Sequence, residues 1–295
     1  MDLVALADFN LVAKHGGFGR AARASLRPKA SLSRRVADLE ASLNMRLFER
    51  GSRQIKLTEE GRALFERTSF LLTEIGETAA AIASRSHTPR GTLRMSAPLL
   101  FCQVAMGKIA AEFALKYPEV RLEVTTDDRT VDLVEEGYDL VIRVNPRSDD
   151  RLVGRNFLHD RLVVVARQDV PRPAQGQPVR GIAGPIESGN RWQTTGPDGP
   201  ETIEFEPIVT LSSMIMVRDA VRTGVGAARL PLSLVSHDVA DGSLVKWGKV
   251  DTDTQLWALY PSRRLLSARV SAFLEYLKTA FPQGTPEELA AYIGR

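Results

Sequence analysis

A short amphipathic segment near the N-terminus restricts the fold of this chain more than any other feature. Its sequence, PKASLSRRVADLEA, covers residues 28–41. At helical spacing, Leu32, Val36 and Leu39 fall on one face, and small or cationic side chains cover the opposite face. The pattern predicts a helix that packs on a core with one side and presents a cationic surface with the other. Pro28 suits its first turn.

The sequence before this segment predicts two further helices. The first is amphipathic, with apolar residues spaced 3, 3 and 4 apart at Leu3, Leu6, Phe9 and Ala13. Gly16-Gly17 ends it, and GRAARA (19–24) begins a short second helix. Two short helices joined by a tight turn are typical of a helix-turn-helix, whose second helix enters the major groove with its N-terminal residues nearest the base edges.

The segment RLFERGSRQIKLTEEG (46–61) predicts a hairpin next to these helices. Gly51-Ser52 forms its turn, and Arg53 and Lys56 place positive charge on it. A basic hairpin beside a recognition helix is a wing, which can bind phosphate or the minor groove. Thr58 then caps the next helix.

The distribution of charge agrees with a polyanion as partner. The chain has a net charge of +3, but residues 1–90 carry 15 lysines and arginines against 10 acidic residues, and residues 91–295 carry 24 against 26. Within residues 10–56 the counts are 11 and 3. Such a block is an electrostatic footprint for nucleic acid, although charge alone also fits a solvated cationic face.

A long helix over residues 58–86 is expected to connect the basic segment to the rest of the chain. It contains no proline, and its apolar seam has spacings of 4, 3, 4, 3 and 4 at Leu64, Thr68, Leu71, Ile75, Thr78 and Ile82. We interpret it as a dimerisation helix; the alternative is a helix packed on its own domain. The sequence SHTPRG (86–91) ends it and marks the domain boundary.

The remaining two hundred residues alternate between strand and helix patterns, which predicts a doubly wound parallel α/β sheet. Two such series follow each other, and the last long helix, SARVSAFLEYLKTAF (267–281), is expected to return to the first of them. Two lobes that exchange chain segments would form a hinged cleft.

Two strand ends in this part carry hydroxyl groups where a helix begins. Ser96 lies at one of them, with Pro98 and Leu100 in the same turn, and Ser212 and Ser213 lie at the other. Ligands bind beyond the carboxyl ends of parallel strands, and free N–H groups at a helix N-terminus favour a small anion such as a carboxylate. Plain helix capping is the alternative role for each serine.

Three further residues are candidates for the wall of the cleft. Arg143 and Asn145 lie at the end of the strand YDLVIRV (138–144), and Trp192 lies in the Gly- and Pro-rich stretch 171–200. Trp192 could cover the cleft, or it could be a core or surface residue.

The sequence lacks the motifs of common enzymes and cofactor sites. Its four histidines have no metal-ligand spacing, Cys102 has no neighbouring histidine motif, and no phosphate-binding glycine loop is present. We therefore expect no enzymatic activity, no cofactor and no metal. Without a leader-like start or a long apolar run, we expect a cytoplasmic protein with no membrane partner.

The residues from His15 to Gly61, HGGFGRAARASLRPKASLSRRVADLEASLNMRLFERGSRQIKLTEEG, resemble the DNA-binding part of LysR-type transcriptional regulators. The segments GTLRMSAP, VRLEVTTDDRTVDLVEEGYDLVIRV and LYPSRRLLSARVSAFLEYL resemble the effector domain of the same family. The resemblance covers nearly the whole chain, with the motifs in the expected order.

This resemblance implies a winged helix-turn-helix, a linker helix, and a two-lobed effector domain like a periplasmic binding protein. The domains would be 1–58, 59–89 and 90–295, with lobe I at 91–161 and 268–295 and lobe II at 162–267. The expected partners are operator DNA, a small-molecule effector and further copies of the chain, in a homodimer or homotetramer; RNA polymerase is a further candidate.

The residues expected at the DNA are Lys29, Ser31, Ser33, Arg34 and Arg35 on the recognition helix and Arg53 and Lys56 on the wing. The family often has Ser-Gln-Pro-Ala where this chain has Pro28-Lys29-Ala30-Ser31. Lysine can donate to guanine but cannot form the bidentate pair of glutamine with adenine, so we hypothesise a shifted base preference. A small-molecule binding protein or an enzyme using the same cleft is the alternative class, and neither needs the basic first sixty residues.

Overall fold

The chain forms two compact units, Met1–His87 and Thr88–Arg295. The structure is a computed structural model, and it describes residues 2–49, 56–84, 88–128, 137–147, 151–174, 176–196, 199–261 and 266–293. The predicted bounds 1–58, 59–89 and 90–295 stay a prediction, although the division between the two units lies close to the expected one.

The first unit contains the three predicted short helices and the long one. They are α1 (Leu3–His15), α2 (Phe18–Ser25), α3 (Lys29–Leu43) and α4 (Glu59–Ser84). The Asp2 side chain caps α1 by accepting from the Val4 N–H, and α1 ends at Gly16, whose φ of 62° suits glycine. Pro28 is the N-cap of α3 rather than its first helical residue.

The core of this unit is built from the apolar faces that the sequence predicts. The buried stripe of α3, formed by Leu32, Val36 and Leu39, packs with Phe9 of α1 and Phe48 in one cluster. The helix-turn-helix prediction is therefore confirmed at the level of packing, because the outward face of α3 takes no part in this core.

The base of the predicted hairpin lies against these helices. Phe48 and Leu57 form an antiparallel bridge, and the Glu49 N–H donates to the Lys56 carbonyl at 2.9 Å. The Glu40 carboxylate of α3 accepts from the Leu47 N–H at 2.7 Å, which fastens the hairpin to the recognition helix. The predicted turn at 51–52 lies outside the described residues.

Helix α4 divides the predicted seam into two parts. Leu64 packs against the core of the first unit, and the Thr68 hydroxyl accepts from Asn10 of α1 at 2.9 Å. Leu71 and Ile75, further along, are exposed. The first part therefore packs on its own domain, which was the alternative interpretation, whereas Leu71 and Ile75 are exposed and available to a partner.

The second unit is built on a sheet of nine strands, as far as the structure describes the chain. In chain order they are β1 (Gly91–Ala97), β2 (Val120–Thr126), β3 (Leu140–Val144), β4 (Leu152–Arg167), β5 (Val179–Ala183), β6 (Arg191–Gly196), β7 (Gly199–Thr210), β8 (Ala227–Pro231) and β9 (Leu244–Pro261). The sheet order is β2-β1-β3-β9-β4-β8-β5-β7-β6.

Helices cover this sheet. They are α5 (Leu99–Phe101), α6 (Gly107–Lys116), α7 (Met214–Arg222), α8 (Leu232–Ala240), α9 (Ala268–Ala280) and α10 (Pro286–Ala290), with a π-helical turn at Cys102–Met106 between α5 and α6. The segment TVDLVEEG (130–137), whose pattern predicts a helix, lies outside the described residues except for Gly137.

The two predicted parallel series are present, but the sheet as a whole is mixed. Strand β1 pairs in parallel with β2 and β3, and β5 pairs in parallel with β7 and β8. The long strands β4 and β9 join the two series and pair with each other antiparallel, with register shifts at Asn156/Leu158 and Arg161/Val163.

Strand β9 passes between the two predicted lobes. The sequence placed all of 162–267 in lobe II, but residues 256–259 of β9 pair with β3 of the first lobe. Its N-terminal part pairs with the second-lobe end of β4. Each lobe is therefore completed by a strand that begins or ends in the other.

Apolar clusters fill both lobes. The first lobe's core includes Leu93, Phe113 and Phe273 of α9, so the last long helix does return to this lobe. In the second lobe, Val163 and Val217 lie in a cluster on one side of the sheet, and Phe205 lies in another.

Candidate DNA-binding surface and effector cleft

The outward face of α3 carries most of the residues that the sequence assigns to DNA contact. Lys29, Ser33 and Arg34 are exposed, and Ser31 is half-buried on the flank of the helix. Since Leu32 and its neighbours in the stripe are buried, these polar residues are turned outward by the packing of the helix itself. Ala30 and Ala37 have small side chains at the centre of this face, so the helix backbone can approach the surface of a partner closely.

The start of α3 adds positive potential to this face. Its first turn contains no acidic residue and its N-cap, Pro28, supplies no side-chain hydrogen bond. The first backbone hydrogen bonds to the Pro28 carbonyl come from Ser31 and Leu32, which leaves the N–H groups of Lys29 and Ala30 at the exposed end of the helix. A helix N-terminus of this kind favours a phosphate group.

Arg35 is placed differently from the other predicted contacts. Its Nη1 donates to Oδ2 of Asp8 at 3.2 Å, and Asp8 of α1 is fully buried. Arg27, in the turn between α2 and α3, donates to the other oxygen of the same carboxylate. Sequence reasoning missed both partners, because the ion pairs join positions 19 and 27 residues apart.

The wing residues are only partly described. Lys56 is exposed next to the Phe48–Leu57 bridge, at the base of the predicted wing. Arg53 lies outside the described residues.

In the second unit, the structure brings the first-lobe candidates together at the ends of β1 and β3. These strands are neighbours, and Arg143 Nη2 donates to the hydroxyl of the fully buried Ser96 at 3.1 Å. The serine hydroxyl therefore has a guanidinium partner and is not a simple helix cap. Arg143 Nη1 also donates to the Ile142 carbonyl at 2.7 Å, which fixes the side chain against the strand.

The turn after β1 reaches from the first lobe towards the second. Pro98 is buried at the N-cap of α5, and the half-buried Leu100 packs against the apolar cluster of the second lobe. Asp128 accepts from the Leu99 N–H at 3.0 Å and holds the start of the helix. Leu100 thus links the two sides of the expected cleft.

Asn145 links β3 to the crossing strand. Its backbone has a φ of 42°, its Oδ1 accepts from the Gln255 N–H at 2.8 Å, and its Nδ2 donates to the Asp253 carbonyl at 3.1 Å. These bonds tie the end of β3 to β9 close to where β9 passes between the lobes.

On the second lobe, Ser212 is exposed and Ser213 is the N-cap residue of α7. The Ser213 hydroxyl makes no capping hydrogen bond to α7, although helix capping was the alternative explanation for this serine. The start of α7 therefore retains both its backbone donors and a hydroxyl at the carboxyl end of β7.

Trp192 does not cover the cleft. It lies on β6, fully buried, with its ring stacked on Phe205 at 4.1 Å and its Nε1 donating to Glu187 at 3.1 Å. The predicted irregular stretch 171–200 contains strands β5 and β6, and the tryptophan belongs to the core that they form.

Cys102 lies near the first-lobe wall, although the sequence assigned it no role. Burial and the nearby Asp128 carboxylate raise the pKa of its thiol to about 11, and the Arg143 guanidinium opposes this shift. At neutral pH the thiol is protonated, so it is a weak nucleophile.

Among the described residues, no group of three or more histidine, cysteine or acidic side chains is arranged to hold a metal ion. Within the same ranges, none of the helices has the length and apolar character needed to cross a bilayer.

A winged helix-turn-helix followed by a long helix and a two-lobed α/β domain is the architecture of a ligand-responsive transcription regulator. The sequence family described as the LysR substrate binding domain matches residues 86–282, and that of the bacterial regulatory helix-turn-helix proteins of the lysR family matches residues 3–62. The chain belongs to the LysR family of transcriptional regulators, with an N-terminal DNA-binding domain and a C-terminal effector-binding domain. Regulators of this family bind operator DNA and small-molecule effectors.

Several known regulators are similar to this chain over nearly its full length. The HTH-type transcriptional regulator CrgA of Neisseria meningitidis serogroup C is 28% identical over 280 residues, which cover 91% of this chain and 93% of the relative. The HTH-type transcriptional regulator DmlR of Escherichia coli K12 is 27% identical over 288 residues, 94% of each chain.

Solved structures agree with these relatives. The structure of CrgA from Neisseria meningitidis has a TM-score of 0.57 at 26% identity and covers 98% of this chain and 99% of its own. The full-length Vibrio cholerae virulence activator AphB, a member of the LTTR family, has a TM-score of 0.56 at 26% identity and covers 95% and 100%.

Proposed function

We propose that this regulator inserts α3 into the major groove of its operator, with Lys29, Ser31, Ser33 and Arg34 at the bases and Arg53 and Lys56 on phosphate. The observation that carries the proposal is the outward face of α3, where exposed Lys29, Ser33 and Arg34 surround a helix start with free N–H groups. We propose that it acts in the cytoplasm as a regulator rather than as an enzyme, in a homodimer or homotetramer. RNA polymerase is the proposed protein partner through which it changes transcription.

The test is the binding of the purified chain to double-stranded DNA from upstream of its own gene, measured by fluorescence anisotropy over a range of salt concentrations. We expect affinity to fall steeply with salt, and Arg34→Ala to lose specific affinity by roughly 1–3 kcal/mol if its guanidinium reads a base. Arg67→Gln, an exposed cation on α4, is the matched control. A chain that binds no duplex DNA at any salt concentration would refute the proposal.

Lys29 allows a sharper test of base reading. Lys29→Gln restores the residue that many family members carry at this position, and it should change the preferred base in a selection from randomised operator DNA. If the preferred base is unchanged, Lys29 does not contact a base.

For the effector we propose a small anion held between the lobes, with Ser96, Pro98, Leu100, Arg143 and Asn145 on one side and Ser212 and Ser213 on the other. The Arg143 guanidinium beside Ser96, and the uncapped start of α7, supply positive charge and donors from both lobes. Closure of the lobes on the effector would change the placement of the DNA-binding heads and the bend of bound DNA.

A thermal-shift screen of small carboxylates tests this site. A carboxylate that raises the melting temperature of the chain should lose its effect on Arg143→Gln. It should keep its effect on Arg121→Gln, which removes an exposed cation of β2 in the same lobe. Equal shifts in both variants would place the ligand elsewhere.

A further inference from the structure

One buried carboxylate in the first unit holds two arginines from different elements. Asp8 is 0% exposed, and its two oxygens accept from Arg27 and from Arg35, the latter at 3.2 Å. Asp8 comes from α1, Arg27 from the turn before α3, and Arg35 from the second turn of α3. The two guanidinium groups are therefore brought side by side by an acid that has no contact with solvent.

Both guanidinium groups keep donors for another partner. The Arg27 and Arg35 side chains are 37% and 34% exposed, and each uses one terminal nitrogen on Asp8. No nitrogen of either arginine is among the buried, unpaired side-chain atoms of the described residues, so their remaining N–H groups reach solvent. Two guanidinium groups and one carboxylate leave the cluster with a net positive charge.

The position of the cluster relative to α3 determines which part of a duplex it can meet. Arg35 lies on the flank of the helix, between the buried Leu32 and the outward Arg34, and Arg27 directly precedes the N-cap Pro28. A helix about 10–12 Å wide fills a major groove about 12 Å wide, so its flanks face the sugar-phosphate backbones. The cluster therefore faces phosphate and not base edges.

We propose that Arg27 and Arg35 form one two-guanidinium contact to a phosphodiester group at the edge of the major groove, and that Asp8 is the positioning residue that orders them. This proposal rests on the insertion of α3 proposed above. The planar fork of arginine matches phosphate oxygens, and charge-assisted hydrogen bonds of this kind are strong. Because Asp8 fixes both side chains before DNA arrives, little of their rotamer freedom is lost on binding.

The salt dependence of DNA binding by the full chain tests the two arginines. Each phosphate contact contributes a slope of about 0.9 to the decrease of log affinity with log salt. We expect Arg27→Gln and Arg35→Gln each to reduce the slope by about 0.9. When the salt concentration rises from about 50 to about 200 mM, the loss of affinity in each variant should then be smaller than the loss in the parent by a factor of about 3.5. Arg67→Gln should leave the slope unchanged. Unchanged slopes in both arginine variants would overturn the proposal.

Asp8→Asn tests the positioning role, because it keeps both cations and nearly the same shape. We expect a slope at least as steep as that of the parent and an affinity several-fold weaker at every salt concentration. A stronger affinity for DNA would overturn the proposal, since Asp8 would then be masking the arginines rather than presenting them.

Two further measurements separate these outcomes from misfolding and from failure of DNA binding itself. Arg27→Lys and Arg35→Lys keep the charge and should keep the slope while losing affinity, and a loss of slope in these variants would count against the proposal. If Asp8→Asn melts without cooperativity, the glutamine and lysine variants decide the question. A parent chain with no salt-sensitive DNA binding would instead refute the proposed function.

Discussion

At the scale of single residues, Gly61 shows how little space separates α4 from the segment that enters the wing. A Cβ atom at Gly61 would lie 2.0 Å from the Leu47 carbonyl oxygen, which belongs to the backbone and cannot move aside cheaply. Gly76, in the same helix, has no atom within 4 Å of the equivalent position. The two glycines therefore have opposite requirements, although they look alike in the sequence.

We expect Gly61→Ala to destabilise the first unit by about 1–3 kcal/mol through overpacking. Gly76→Ala, the matched control, should stabilise it by roughly 0.5–1 kcal/mol, because alanine loses less backbone entropy in a helix. Differential scanning calorimetry of the two variants measures both changes. Equal melting temperatures in the two variants would mean that the hairpin base is not packed on α4 at Gly61.

The Cys102 thiol gives a second test at this scale. With a pKa of about 11, its reaction with a disulfide reagent should rise tenfold per pH unit well beyond pH 9 without levelling off. Asp128→Asn removes a charge that raises the pKa and should speed the reaction at fixed pH, and Arg143→Gln should slow it. Since this is the only cysteine of the chain, no other thiol contributes. A rate that levels off near pH 9 would contradict this placement.

At the scale of elements, Asp160 joins β4 to α8 where β4 passes from one lobe to the other. It is buried, and it accepts from the Ser233 hydroxyl at 2.6 Å and from the Arg161 N–H at 2.7 Å. Burial raises its pKa, and the hydrogen bonds from Ser233 and Arg161 only partly offset this. The folded chain therefore binds this proton more tightly than the unfolded chain, whose aspartates ionise near pH 4.

Stability should consequently fall as the pH rises from about 4 through the higher pKa of folded Asp160. Asp160→Asn stays neutral, so its melting temperature should exceed that of the parent by an amount that grows across this interval. A gain of about 1 kcal/mol corresponds to roughly 2–4 °C for a domain of this size. Thermal unfolding at several pH values checks this. If the difference in melting temperature between Asp160→Asn and the parent shrinks with rising pH, the pKa of Asp160 is not raised in the folded chain.

The same scale separates what the sequence could predict from what it could not. Helices α1 to α3 and the buried stripe Leu32, Val36 and Leu39 were predictable because helical periodicity is local. The place of Trp192 stayed open because β6 lies in a Gly- and Pro-rich stretch that masks its strand character. The Asp8 ion pairs and the passage of β9 into the first lobe depend on contacts between distant positions, which no local pattern contains.

At the scale of the whole molecule, the exposed part of α4 offers a surface on which the proposed homodimer would form. Leu71 and Ile75 are 47% and 56% exposed on the outer half of a 26-residue helix, whereas Leu64 is used by its own domain. Apolar residues at this spacing are typical of a helix pair between subunits.

We therefore expect Leu71→Lys combined with Ile75→Lys to shift the chain towards monomer in size-exclusion chromatography with light scattering. Affinity for an operator with two half-sites should fall with it, since the second half-site loses its tether. Leu115→Lys, which replaces an even more exposed leucine on α6, should leave the assembly unchanged. An unaltered mass for the double variant would place the interface elsewhere.

The path of β9 through both lobes also affects the order in which the chain can fold during its synthesis on the ribosome. Residues 256–259 complete the sheet of the first lobe, yet they are synthesised after nearly all of the second. The lobe that begins first must therefore wait, with an open strand edge beside β3, at least until translation has passed residue 259, and its core is complete only when α9 has followed. A nascent chain stalled between 168 and 244 should remain sensitive to protease in residues 91–160.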